Sequence, residues 1–482
     1  MTMGNPEMAS QPTELTLLGA AGLIRARRLS SRELVQATLD RIASINPQIN
    51  CFTEVGIETA LESASKLDSL LIRGDYLGPL HGIPISLKDL IPTAGMRTTA
   101  GSPARRNWIP TEDAALVMLL KKSGAVIVGK TSTYEYGYVG HHAEFGDVRN
   151  PWNLGYTCGG SSSGSAASVA ACMAFGSVGT DAAGSIRVPG ALTGILALKP
   201  TYGQVTLKGV LRGSYTVGHA GPMARTGPDL RALLEALSDT SSEGVVERTS
   251  ISSGGSEPLA GLCVGLQQRQ LGELIDPTVI AAVNAAAAQL ETLGARVVPT
   301  SLPDHALAQA VIKVIIGAEA SEIHHDDLTN RPERFSLGLR AYLRSGQAIT
   351  ADTYIRAQRV RQEIQRQYAD LMTGVDVLLL PTVPLTAWQL DATTVGDQSW
   401  HLDPFLAQTR YCPAANLTGQ PALSVPCGFN SLGLPYAFQL MGRLGADRLL
   451  IDIADRYSAS IAGPPQHPRI TPQVAVLSGR VG

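Results

Sequence analysis

Residues 159–185, GGSSSGSAASVAACMAFGSVGTDAAGS, put hydroxyl nucleophiles and backbone amides into one short stretch. A Gly/Ser-dense loop opens it, and Ser185 closes it at a Gly-Ser turn. Glycine and serine at this density expose main-chain N–H groups, which can bind an anion or a developing oxyanion. Between the two ends, Ala166, Ala167, Ala170, Ala171 and Ala174 let backbone pack closely on backbone. Two plainer readings fail on composition. A flexible linker would not carry an alanine-rich run that ends in a strand-like apolar segment. A phosphate loop wants Gly-Lys-Ser/Thr, which is missing here.

These groups need a frame. The serine loop runs into a helix expected over 164–173, so it sits at a helix N-terminus, where aligned N–H dipoles favour negative charge. Short apolar segments at 83–87, 125–128, 195–198, 262–267, 295–298 and 375–380 read as strands. Amphipathic periodicity marks helices at 57–73, 113–123, 277–293 and 351–372. Ser30 and Glu33 form a capping box that starts a helix through about residue 45. Strands alternating with helices imply an α/β layered fold. Residues 1–12 read as a disordered N-terminus. Residues 238–258 are Ser/Gly-rich with mixed charge and read as an exposed loop.

Composition narrows the classes. The 482 residues are 44% hydrophobic and 17% charged, with a net charge of −2. No global field favours nucleic acid or an anionic membrane. The N-terminus lacks the basic and apolar regions of a secretory signal, and no run of 18 apolar residues is present. The six cysteines have no CxxC spacing and read as reduced, mostly packed thiols, which implies a cytoplasmic protein. Cys158, beside the serine loop, is a candidate for a reactive thiol.

The same segment resembles the amidase signature family. GGSSSGSAA, GTDAAGSIRVPGALTG and LALKPTYG (196–203) carry the likeness. HGIPISLKD (81–89), GAVIVGKTSTYEYG (124–137) and NPWN (150–153) extend it upstream. DVLLLPTVP (376–384), NLTGQPALSVPCG (416–428) and LPYAFQLMG (434–442) extend it downstream. The likeness covers nearly the whole chain in family order. It implies one compact α/β domain over residues 13–482, with a central mixed β-sheet covered by helices on both faces.

The resemblance also implies a Ser–cis-Ser–Lys triad: Ser185 the nucleophile, Ser161 the bridging serine after a cis peptide at Gly160–Ser161, and Lys88 the base. An amide is a poor electrophile, so its hydrolysis needs an activated nucleophile, an oxyanion site and a proton for the departing nitrogen. A lysine at its ordinary pKa of about 10.4 is charged and cannot accept a proton. Burial among Ile83, Ile85 and Leu87 would disfavour that charge. The oxyanion donors implied are the backbone N–H groups of Ala182, Ala183 and Gly184, with Ser185 itself. Ala183 stands where the family usually has glycine, which is tolerable if its φ is negative. Gly190 is a second departure, at a position that usually carries a small side chain. Ser162 is expected to support the site, and Asp181 with Arg187 to hold the nucleophile loop as an ion pair. Tyr134, Tyr136, Gly137 and Tyr138, with parts of 305–350 and 390–412 including Trp400, are expected to line the substrate pocket.

The expected function is amide C–N hydrolysis through an acyl-enzyme on Ser185, with esters and carbamates open to the same chemistry. No metal or organic cofactor is expected. The expected partner is a small-molecule amide or carbamate, with no nucleic acid and no membrane, in a monomer or homodimer. Two other readings stand beside it. Gly160-Ser161-Ser162-Ser163-Gly164 formally matches the α/β-hydrolase elbow with Ser162 as nucleophile, but NLGYTCG before it is no hydrophobic strand. The amidase subunit of the tRNA-dependent amidotransferase, which makes ammonia from glutamine for a tRNA-binding partner, has similar length and the same triad. VPGALTG after Arg187 lacks the glutamine typical of that subunit, which favours a stand-alone hydrolase. His324-His325-Asp326-Asp327 reads as a polar loop rather than a metal cluster, because adjacent residues cannot all face one ion.

Overall fold

Parallel and antiparallel strands share one eleven-stranded sheet in this computed structural model, which describes residues 12–238, 257–267, 274–392, 395–397, 400–461 and 467–471. Nearly all of the 238–258 loop and of the 1–12 segment lies outside the described residues. The edge strand Phe52–Val55 pairs antiparallel with Val126–Thr131, which runs parallel to Pro84–Lys88 and, through it, to Gly176–Asp181. His219–Ala224, Leu196–Lys199, Ala422–Phe429, Pro435–Gly442 and Val377–Pro381 continue the sheet antiparallel. Cys263–Gln267 and Arg296–Thr300 close it in parallel. Pro84–Lys88, Val126–Thr131 and Leu196–Lys199 are buried along their whole length. Continuous apolar runs, rather than alternating ones, are what a sheet covered on both faces requires.

Helix starts follow the local chemistry. Ser30 accepts from the Glu33 amide while Glu33 accepts from the Ser30 amide, so the expected capping box opens the helix Ser31–Ile49. That helix runs four residues beyond the expected end and stops at Asn50 in the left-handed region. Thr350 caps Ala351–Leu371, and Asp276 caps Pro277–Thr292. The helix over the serine loop spans Ser163–Ala170, and every residue in it is buried. Its small side chains allow that: a Cβ on Gly164 would meet the Ser132 backbone N at 2.5 Å.

One expectation is corrected here. Residues 324–327 are not a loop: His324 ends the helix His305–Ile323, and His325–Asn330 is helical. The segment before the serine loop, Asn153–Thr157, is a half-exposed strand outside the large sheet: it pairs with Arg149–Asn150 in a two-stranded ribbon, and Tyr156 bridges to Gln389. No helix among the described residues is long and apolar enough to cross a membrane.

Candidate active site

Lys88 ends the strand Pro84–Lys88, walled by neighbouring strands on both sides, and is fully buried. Its Nζ donates to Ser161 Oγ at 2.7 Å, to Thr180 Oγ1 at 2.9 Å and to Thr180 O at 3.3 Å. Burial pulls its pKa down to about 7, against an upward pull from Asp181. Desolvation penalises the charged form, so near neutral pH this amine exists in both protonation states. Asp89, the next residue, turns away as strand alternation requires and accepts from the Thr99 amide at 3.0 Å.

The peptide Gly160–Ser161 is cis. The Gly160 amide donates to Gln408 Oε1 at 3.1 Å, and the Tyr134 ring lies over Gly160 so closely that a Cβ there would be 2.3 Å from Tyr134 Cζ. The next serine is enclosed and engaged. Ser162 is fully buried, donates from Oγ to Thr180 O at 3.2 Å, and donates its amide to Ser185 O at 3.1 Å. It thereby ties the serine loop to the Ser185 loop, which counts against the α/β-hydrolase reading with Ser162 as nucleophile.

Ser185 is half-buried and lines the same pocket as Ser161. Asp181, at the end of Gly176–Asp181, holds its loop. One carboxylate oxygen accepts from the Gly184 amide at 2.7 Å and the other from Ile186 N at 3.1 Å. Arg187 completes a bidentate pair, Nε to Oδ2 and Nη2 to Oδ1, both at 3.0 Å. Both side chains are wholly enclosed. The guanidinium also donates to Cys412 O at 2.9 Å, Gln439 Oε1 at 2.6 Å and Asn416 Oδ1 at 2.6 Å. Burial pushes the Asp181 carboxyl up, but Arg187 and Asn416 hold it below the usual carboxylate range.

This corrects one expected oxyanion donor. The Gly184 amide is already engaged by Asp181, so it is not free for substrate. Ala182 and Ala183 line the pocket, and Ala183 keeps a negative-side φ, so its methyl is tolerated. Gly184 takes φ 118°, which favours glycine. Gly190 is explained by close approach: a Cβ there would lie 2.2 Å from that of Ala197.

Tyr134, Tyr136, Gly137 and Tyr138 line the pocket as expected, joined by Tyr342. Tyr138 is pinned by a hydrogen bond from its hydroxyl to Gly213 O at 3.0 Å. From the 305–350 and 390–412 segments come Ile312, Lys313, Ile316, Gln408 and Thr409. The side chain of Trp400 lies outside the described residues. A wall formed by Leu207–Ser214 was not expected; its sequence, LKGVLRGS, carries no chemical motif. His141 contacts the site from behind, edge-on to the Tyr134 ring, with Nε2 2.8 Å from Ser163 Oγ and Nδ1 3.2 Å from Asp147. His324 packs edge-on against Tyr136. Among the described residues no group of His, Cys, Asp and Glu could hold a metal. All six cysteines are free; Cys158 is buried and its thiol pKa is pushed up by burial, which argues against reactivity.

A family model described as Amidase matches residues 33–451. A glutamyl-tRNA(Gln) amidotransferase subunit from Thiobacillus denitrificans is 37% identical over 92% of this chain and 96% of its own. Among solved structures, one described as an amidase superposes with a TM-score of 0.85 at 31% identity, covering 93% of this chain and 100% of its own. The peptide amidase of Stenotrophomonas maltophilia superposes with a TM-score of 0.79 at 29% identity, covering 95% and 99%. The relatives correct the expectation of a monomer or homodimer without nucleic-acid partners. Several of the most similar curated proteins are named as one subunit of an amidotransferase for glutamyl-tRNA(Gln), not as stand-alone enzymes. The match runs from within the helix Ser31–Ile49 to within the helix Asp447–Ser460, through the lysine strand and both serine loops, and the chain belongs to the amidase signature family of C–N hydrolases.

Proposed function

We propose that the chain cleaves amides by acyl transfer to Ser185, with Ser161 and Lys88 as its proton relay. The observation that carries this reading is Lys88 Nζ, buried and 2.7 Å from Ser161 Oγ, in the pocket that Ser185 also lines. With its pKa lowered to about 7, the amine is neutral in half the molecules at that pH. Neutral Lys88 takes the Ser161 hydroxyl proton as Ser161 takes that of Ser185. Ser185 Oγ then bonds to the amide carbonyl carbon. The oxyanion is met by the amides of Ala182, Ala183 and Ser185, preorganised in a water-poor site. The proton returns along the relay to the leaving nitrogen, and the C–N bond breaks. Water repeats the sequence to release the acid. Asp181 and Arg187 position the loop and take no part in proton transfer.

A second reading rests on the names of the curated relatives. On that reading the same chemistry at Ser185 releases ammonia from glutamine within an amidotransferase. One experiment separates the two. The purified chain is assayed on an anilide, a primary amide, an aryl carbamate, an ester and glutamine, with Ser185→Ala alongside. Turnover of apolar amides without glutamine supports the first reading. Glutamine turnover with a stoichiometric copurifying partner supports the second. Turnover that survives in Ser185→Ala refutes both.

A further inference from the structure

The pocket around Ser161 and Ser185 is apolar along its walls, with Leu90, Leu207, Val210, Leu211, Ile312 and Ile316 among the residues that line it. Its charged groups are unequal. Among the described lining residues, the one carboxylate is Asp181, fully enclosed and committed to Arg187, Asn416 and the Gly184 amide. Two cations also line the cavity, Arg212 and Lys313, and both are exposed, so they stand at its mouth. Arg212 comes from the loop before the strand His219–Ala224, and Lys313 from the helix His305–Ile323. Among the described residues neither forms an ion pair, although Asp403 acts on Lys313 from a distance. An anion reaching the mouth therefore meets two positive charges without breaking an existing pair. Charge-assisted hydrogen bonds to a guanidinium are the stronger and more directional kind. An ammonium-bearing amide finds no free carboxylate on the described walls.

We propose that this pocket selects amides with an apolar, aromatic or branched body and an anionic end group, received at the mouth by Arg212 and Lys313. The inference rests on the acyl-transfer reading and names its substrate class.

The test uses 3-phenylpropanamide carrying a para-carboxylate, a para-methyl or a para-aminomethyl group. A second set places the same substituents on the amine side, in propananilide. Titration with a fluorophosphonate that labels Ser185 counts competent sites in every sample, so misfolded protein is removed from the comparison. The expected result is a kcat/KM at least roughly tenfold higher for the carboxylate than for the methyl compound in one of the two sets, as a charged hydrogen bond commands. The preference shrinks as salt screens it. In the Arg212→Met, Lys313→Met double variant it collapses to within about threefold, and with both residues changed to Glu it reverses toward the ammonium compound. A wild type that prefers the methyl compounds, or a carboxylate preference that survives the double variant, overturns the inference and leaves acyl transfer standing. If the wild type acylates Ser185 with no member of either set, the acyl-transfer reading falls and this inference with it.

Discussion

Replacing Arg187 with leucine tests whether the nucleophile loop is held by its buried ion pair. The guanidinium makes five hydrogen bonds, two to Asp181 and one each to Cys412 O, Gln439 and Asn416. Leucine removes all five and leaves a wholly enclosed carboxylate. Breaking one side of a buried pair costs about 3–5 kcal/mol, because the remaining charge has lost its compensation. The loss carries a pH signature. In the wild type, Asp181 has a pKa below the usual range, so its contribution is present above the unfolded value of about 3.9 and is lost as pH falls through the folded value. In the variant, burial acts without Arg187 and raises the pKa. The charged form is then a penalty at neutral pH, about 1.4 kcal/mol for each tenfold weakening of the acid, relieved as pH falls through the raised value. The stability gap between the proteins must therefore narrow from pH 7.5 to pH 4.5. Urea unfolding followed by tryptophan fluorescence at the two pH values measures it. A loss under about 1 kcal/mol, or a gap equal at both pH values, would refute the reasoning.

Three further outcomes follow from the geometry. Because the Lys88 pKa is lowered to about 7, the deprotonated base appears above that pH rather than above 10.5, so kcat/KM rises through about 7 to a plateau; a flat pH–rate profile from 6 to 9 counts against Lys88 as the base. Thr180→Val removes an acceptor 2.9 Å from the Lys88 ammonium, which favours the neutral form and moves the midpoint of that rise down by about 0.7 on the pH scale, equivalent to about 1 kcal/mol for one hydrogen bond; an unmoved midpoint in the same profile contradicts this. Gly160→Ala pushes a methyl into the Tyr134 ring and is expected to cost about 1–3 kcal/mol and most of the turnover, read by thermal unfolding and Ser185 titration; a variant with normal stability and labelling would show that the ring can yield.

Much of the site is local in character, and that part was legible in the residues. A capping box declares itself within four positions, so the start at Ser31 was readable while the end at Ile49 was not. Hydrophobic runs marked strands at 83–87 and 195–198, and the structure shows Pro84–Lys88 and Leu196–Lys199 buried along their whole length, as a strand covered on both faces requires. The motif order of Lys88, Ser161 and Ser185 identified the family, and the apolar neighbours of Lys88 already pointed to a depressed pKa. The tertiary structure alone decided what each of these groups meets. Arg187 finds Cys412, Asn416 and Gln439 more than 200 positions away, and Gly160 finds Gln408 at a like separation. The Gly184 amide turned out to be committed because Asp181 folds back on its own loop, which spacing alone does not reveal. The pocket wall draws Leu211 and Arg212 from a loop, Lys313 from a helix and Thr409 from near the C-terminal strands. Propensity and periodicity are properties of neighbouring residues, whereas hydrogen-bond partners and the charges around a cavity are set by which distant segments pack together.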